Sequence, residues 1–128
     1  MDKYMVNTFR DLVVWQKAMG LVTEVYNVTK VFPKEEIYGL ISQMRRCAVS
    51  IPSNIAEGHS RHSRKDFLRF LEIAMGSIFE LQTQNEIASN LQYITEESVT
   101  GIHEKSREIE RMLSSMMRKL KQKDNPSE

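Results

Sequence analysis

The sequence predicts an all-α fold: an antiparallel up-down-up-down four-helix bundle that assembles with copies of itself. Four segments repeat apolar residues at spacings of three and four, the period that gathers them on one helical face. Gly and Pro are few, 5 and 3 in the chain, and fall mostly where helices should stop. There is neither an alternating strand pattern nor a repeat of solenoid length. Four helices of roughly 20–26 residues with short loops make a bundle about 30–39 Å long at 1.5 Å per residue. Residues 1–123 read as one domain, and 124–128 as a disordered tail.

The first helix opens at Thr8-Phe9-Arg10-Asp11, a capping pattern, and continues through Leu12, Trp15, Ala18/Met19, Val22 and Val25/Tyr26. Phe32-Pro33 ends it near Lys30, because the residue before Pro is pushed out of the α region. Pro33 to Glu36 starts the second helix, with two carboxylates facing the positive end of the dipole. Its stripe is Ile37, Leu40, Ile41, Met44, Ala48, Ile51 and Ile55, and Gly58 to His62 is the turn that follows. Pro52 lies inside it and costs about 3 kcal/mol unless a kink relieves it, so one kinked helix is expected. Ser63-Arg64-Lys65-Asp66 caps the third helix, with Phe67, Phe70/Leu71, Ala74, Ile78, Leu81, Asn85 and Ala88 facing inward. Thr95-Glu96-Glu97 caps the fourth, with Val99, Ile102, Ser106, Ile109, Leu113, Met116 and Leu120. Arg118, Lys119, Lys121 and Lys123 suit its negative end.

Helix three carries more apolar side chains than one stripe needs. Leu68, Met75 and Phe79 fall beside or behind the core set, and Gly76-Ser77 permits close approach of another backbone. Helix one adds Val13 and Val14. Such residues either widen the core or are covered by self-association; a helix apolar around much of its circumference favours the second. Leu68, Met75, Gly76 and Phe79 are the expected oligomer interface.

The 128 residues, 14.9 kDa, are 41% hydrophobic, enough for one domain with its own core. Eighteen basic against 17 acidic side chains exclude a generic polycation. The longest apolar run, Ala18–Val22, is far short of the roughly 18 residues of a membrane span. No apolar signal segment separates Met1 from Asp11, and Cys47 has no internal disulfide partner, so a cytoplasmic protein is expected.

Charge is segregated despite the balance. Residues 44–70 hold Arg45, Arg46, Arg61, Arg64, Lys65 and Arg69 against Glu57 and Asp66, a net of +4, whereas residues 71–128 are net −3. A hairpin centred near residue 61 sets residue i opposite 122 − i. That brings Arg46 to Glu72 and Glu80, and Glu57 to Lys65 and Arg69, as internal ion pairs. Arg61, Arg64 and Lys65 at the turn have fewer partners and are the natural phosphate contacts.

Enzyme chemistry finds little support. No Glu is followed three residues later by His, the pairing that bundle metal sites use. His59 and His62 share a turn with only Glu57 and Asp66 near them in sequence, and Cys47 beside Arg46 borders the core. The five glycines are dispersed, so no phosphate-cradling loop exists. No metal, cofactor or catalytic residue is expected.

Phe9 to Ala18 (FRDLVVWQKA), Phe32 to Leu40 (FPKEEIYGL), and above all Ser42 to Gly58 (SQMRRCAVSIPSNIAEG) resemble one family. Phe67 to Ala74, Gly76-Ser77 and Glu80 to Gln84 follow the same pattern. The chain resembles the bacterial four-helix-bundle proteins named for reading frames inside intervening sequences of 23S ribosomal RNA genes. That resemblance implies a non-catalytic homopentamer around a central axis. It also implies kinship with accessory variability proteins of diversity-generating retroelements, which associate with a reverse transcriptase and bind nucleic acid through basic surfaces. By analogy Arg45, Arg46, Arg61, Arg64, Lys65 and Arg69 would contact RNA or DNA. Two readings follow: a nucleic-acid accessory protein multiplying a basic hairpin by symmetry, or a scaffold for a protein partner with no nucleic-acid affinity.

Overall fold

A computed structural model describes residues 7–123, so the expected tail at 124–128 lies outside the described residues. Four helices dominate: α1 Val13–Thr29, α2 Leu40–His59, α3 Arg64–Asn90 and α4 Glu96–Lys123, with no strand among the described residues. None of them is long and apolar enough to cross a membrane.

The ends follow their capping chemistry, with two corrections. Thr8 and Asp11 form a capping box, but it caps a single 3-10 turn, Phe9–Asp11. Leu12 is then extended (ψ 123°), and α1 begins at Val13. The innermost line of α1 is Val14, Ala18, Leu21, Val25 and Thr29; Leu12, Trp15 and Val22 of the expected stripe pack against the core beside it, while Met19 and Tyr26 are exposed. The second correction concerns Pro33 to Glu36. They make only a 3-10 turn, Lys34–Glu36, and α2 starts at Leu40 because the Glu36 carboxylate accepts the Leu40 N–H (3.0 Å). Ile37, expected in the core stripe, is consequently exposed. Ser63 accepts from the Asp66 N–H (3.1 Å) and Thr95 from the Ser98 N–H (3.2 Å), as their spacing predicts.

α2 runs through Pro52 as one helix, with Asn54 Nδ2 donating to the Ser50 carbonyl (2.8 Å). Leu21, Met44, Ile51, Ile55, Leu71, Ile78, Leu81, Ile102, Ile109 and Leu113 fill the core, each contributing about 1.5–3 kcal/mol through burial. Every helix supplies part of it. Polar groups inside are mostly paired: Thr29 Oγ1 donates to the Val25 carbonyl (2.7 Å), and Ser106 Oγ to that of His103 (2.9 Å).

α2 and α3 pack most extensively. Ser50 meets Ser77 (2.8 Å between hydroxyls) and Cys47 meets Glu80, so residue i of α2 faces residue 127 − i of α3, not 122 − i. The offset is about one helical turn, and with α2 ending at His59 it leaves the start of α3 beyond the end of α2. α4 joins the others through Gln82 Nε2 to Ser106 Oγ (3.2 Å) and to Glu110 Oε1 (3.1 Å), and through a Lys17–Glu108 ion pair (3.0 Å).

Candidate nucleic-acid interface

The register at the α2–α3 hairpin decides how its cations are shown. Gly58, near the end of α2, is buried against α3: a Cβ there would lie 2.7 Å from Phe70 Cβ and 3.3 Å from the Phe67 carbonyl. With α2 ending at His59, the first turn of α3 extends past it, and Arg64 and Lys65 crown that end of the molecule, both exposed. Arg61 is not short of partners as expected. It pairs with Glu57 one turn back, and its guanidinium lies over the Phe70 ring at 5.0 Å. Arg69 lies over the same ring at 4.6 Å. Phe70 thus holds two guanidinium groups in place at little entropic cost to either. His59 packs edge-on against Phe67 (5.8 Å).

Arg45 and Arg46 lie roughly 20 Å from this tip, more than a dozen residues back along α2. Arg45 Nε donates to Thr29 Oγ1 (2.9 Å) and Nη2 to the Tyr26 carbonyl (3.3 Å), with its guanidinium over the Tyr26 ring (4.6 Å). It therefore caps the last turn of α1, where carbonyls lack helical donors and a cation suits the dipole. Arg46 lies on the α3 side of α2 and makes no ion pair with Glu72 or Glu80 among the described residues. Glu57 turns to Arg61 instead of Lys65 or Arg69: the register sets Phe70 opposite it and moves Lys65 away, while the Arg69 guanidinium lies over the Phe70 ring. The six cations accordingly form three groups, and only Arg61, Arg64, Lys65 and Arg69 come together.

Sequence reasoning missed neighbours of that group. Since Gln82 faces Ser106 and Glu110, ten residues back along α3 and ten onward along α4 bring the C-terminal turns of α4 to the level of residue 72. Arg118, Lys119 and Lys121 therefore share the hairpin's end of the molecule. At the opposite end Glu24, Glu96, Glu97 and Glu104 line one surface hollow. The near-neutral chain is a charge dipole along its axis. The α4 cations stand alone in sequence, so only the helix register reveals the grouping.

The expected interface residues divide as well. Leu68 and Met75 are half-buried, Met75 packing against the core, while Phe79 is 49% exposed. Gly76 is exposed, and a Cβ added there would meet nothing within 4 Å. Among the described residues none uses the close approach that Gly76 permits.

Among the described residues no three His, Cys, Asp or Glu side chains come together as a metal site would require. The Cys47 thiol donates to the Ser77 carbonyl (3.0 Å) beside Glu80. Burial, and then the Glu80 charge, push its pKa up to about 12, so it is protonated at neutral pH and a poor nucleophile.

A family model described as 23S rRNA-intervening sequence protein matches residues 10–115. A crystal structure of a protein with unknown function from the S23 ribosomal protein family, from Bacteroides thetaiotaomicron VPI-5482, is similar at 29% identity and a TM-score of 0.76, over 82% of this chain and 98% of that one. No curated protein matches.

Proposed function

The chain belongs to the 23S rRNA-intervening sequence protein family, and from that premise we propose that it is a non-catalytic, cytoplasmic nucleic-acid accessory protein of bacterial origin. It works as a homo-oligomer, a pentamer by the family resemblance, of antiparallel up-down-up-down bundles. The observation that carries the reading is the overhang of α3: Arg64 and Lys65 stand beyond the end of α2, at the same end as Arg61, Arg69 and the cations of α4. Cyclic symmetry turns one such end per subunit into a ring of them on a single face. A patch too weak to hold a phosphate backbone alone then gains avidity by repetition. Contacts of this kind read backbone charge rather than sequence. Arg45 serves the fold, and the exposed Phe79 with Gly76 supports assembly.

The test is binding of a fluorescent RNA stem-loop and a DNA duplex over a series of salt concentrations. Affinity falls linearly in log–log form with salt, and the combined change Arg61→Ala, Arg64→Ala, Lys65→Ala removes it while leaving the circular dichroism unchanged. Unchanged affinity in that variant overturns the assignment. Absence of binding in the parent protein favours the scaffold reading, in which the exposed apolar face of α3 (Ile73, Phe79, Ile87) receives a protein partner.

A further inference from the structure

The end of the molecule away from the hairpin gathers apolar side chains that the fold leaves uncovered. The three most exposed large hydrophobics among the described residues are Tyr38 (94%), Val31 (77%) and Ile37 (56%), all in the α1–α2 connection. Leu91, half exposed, closes α3 at the same end. Connections are ordinarily polar, and apolar side chains concentrated in one mark a surface that another molecule covers. Beside them a groove runs between the last turns of α1 and the first turns of α4. Its apolar stretch, about 400 Å³, has Val28 and Val31 on one wall and Tyr93 and Ile94 on the other. The Tyr93 wall is fixed in advance, its ring against buried Phe32 and its hydroxyl donating to Glu36. A second stretch, about 540 Å³, shares Ser98 with the first, so the two are continuous. Glu24, Glu96, Glu97 and Glu104 line it, and no Lys or Arg does. Glu24 pairs with Lys105, whereas Glu97 and Glu104 make no ion pair among the described residues.

We propose that this groove docks a protein partner through a polypeptide segment in which an apolar side chain stands close to Lys or Arg. The apolar side chain leaves water between Val31 and Tyr93, and the cation meets Glu97 and Glu104. Burial then supplies affinity, and the acidic stretch selects the partner's charge. From Glu24 to Val31 is seven residues of helix, about 10 Å. Extended chain covers that distance in about three residues, which sets the spacing of the two determinants in the partner. Nucleic acid and anionic lipid are repelled by the same glutamates. The basic hairpin of a second copy matches the charge but not the apolar stretch, because no large hydrophobic is exposed between His59 and Arg69. The inference is independent of nucleic-acid binding at the hairpin, which lies at the opposite end.

The probe is a phage-displayed library of random short peptides, selected on the full chain and followed by fluorescence anisotropy of the enriched sequences as labelled synthetic peptides. Enriched peptides are expected to carry an apolar side chain about three residues from Lys or Arg. Their affinity should fall several-fold in Val31→Asp, and again in the combined change Glu97→Lys, Glu104→Lys. All three positions are exposed, so these variants should keep the circular dichroism of the parent. Raising the salt should weaken the peptides through the acidic stretch but leave the loss in Val31→Asp in place. No enrichment, enriched sequences without that pairing, or equal affinity in the parent and both variants overturns the proposal. So does end-to-end association of the chain that the two glutamate changes dissolve while no peptide is enriched, which would assign this end to a second copy.

Discussion

The Tyr93 hydroxyl donates to Glu36 Oε2 at 2.9 Å across 57 residues of chain, while Oε1 of the same carboxylate accepts the Leu40 N–H at 3.0 Å. One carboxylate therefore starts α2 and ties it to the α3–α4 connection, where Phe32 also meets the Tyr93 ring (5.6 Å).

The Leu40 N–H first, and the Tyr93 hydroxyl second, hold the Glu36 carboxyl below its ordinary 4.5; the same hydrogen bond raises Tyr93 above its ordinary 10.0. A depressed carboxyl stabilises the fold above its unfolded value and loses that contribution as pH falls through the folded value. A raised phenol contributes below its unfolded value and loses it as pH rises through the folded one. The tie is thus complete between these limits and fails first on the acid side. Glu36→Gln and Tyr93→Phe should lower the urea midpoint at neutral pH, and the Glu36→Gln difference should shrink as pH falls below 4.5. A difference independent of pH would contradict the assignment.

Gln92 ends α3 at φ 63°, with the Tyr93 N–H bonded to the Ala88 carbonyl at 3.0 Å in a Schellman arrangement. A left-handed residue other than Gly is strained. Gln92→Gly should stabilise the protein by about 1 kcal/mol, read as a higher urea midpoint with an unchanged slope.

Two glycines should respond oppositely to Ala. At Gly58 the new Cβ meets Phe70 Cβ at 2.7 Å, an atom fixed to the backbone, so overpacking outweighs the gain in helix propensity. A net loss of about 1–2 kcal/mol is expected. At Gly76 nothing lies within 4 Å, so Ala should stabilise the isolated subunit by about 0.5–1 kcal/mol. It should nonetheless weaken self-association, measured by sedimentation, if another subunit approaches there. Unchanged assembly would remove Gly76 from the interface.

The four helices and most core residues were legible in the sequence because period and caps are local properties, and Ser63 and Thr95 do what their spacing predicts. The start of α2 was not. Pro33 and two carboxylates signal a helix N-terminus, but the decisive contacts come from Tyr93 and the reach of Glu36 to Leu40. In α1 the spacing marks the right side of the helix, but not that Val14 and Leu21 rather than Met19 and Tyr26 are its innermost residues, because that depends on how α1 leans on its neighbours. For the candidate site, the basic segment was visible, but not its division. Whether Arg45 faces Tyr26 or solvent, and whether α4 ends beside the hairpin, depends on helix register, which no short stretch of sequence encodes.

The central claim is an assembly whose basic end carries nucleic acid. Size exclusion with light scattering and dual-wavelength absorbance, on protein purified at low salt without nuclease, tests it most directly. A mass near five subunits with excess short-wavelength absorbance is expected, and high salt or the Arg61, Arg64 and Lys65 changes strip that absorbance away. A subunit-sized mass with the absorbance of protein alone would contradict it.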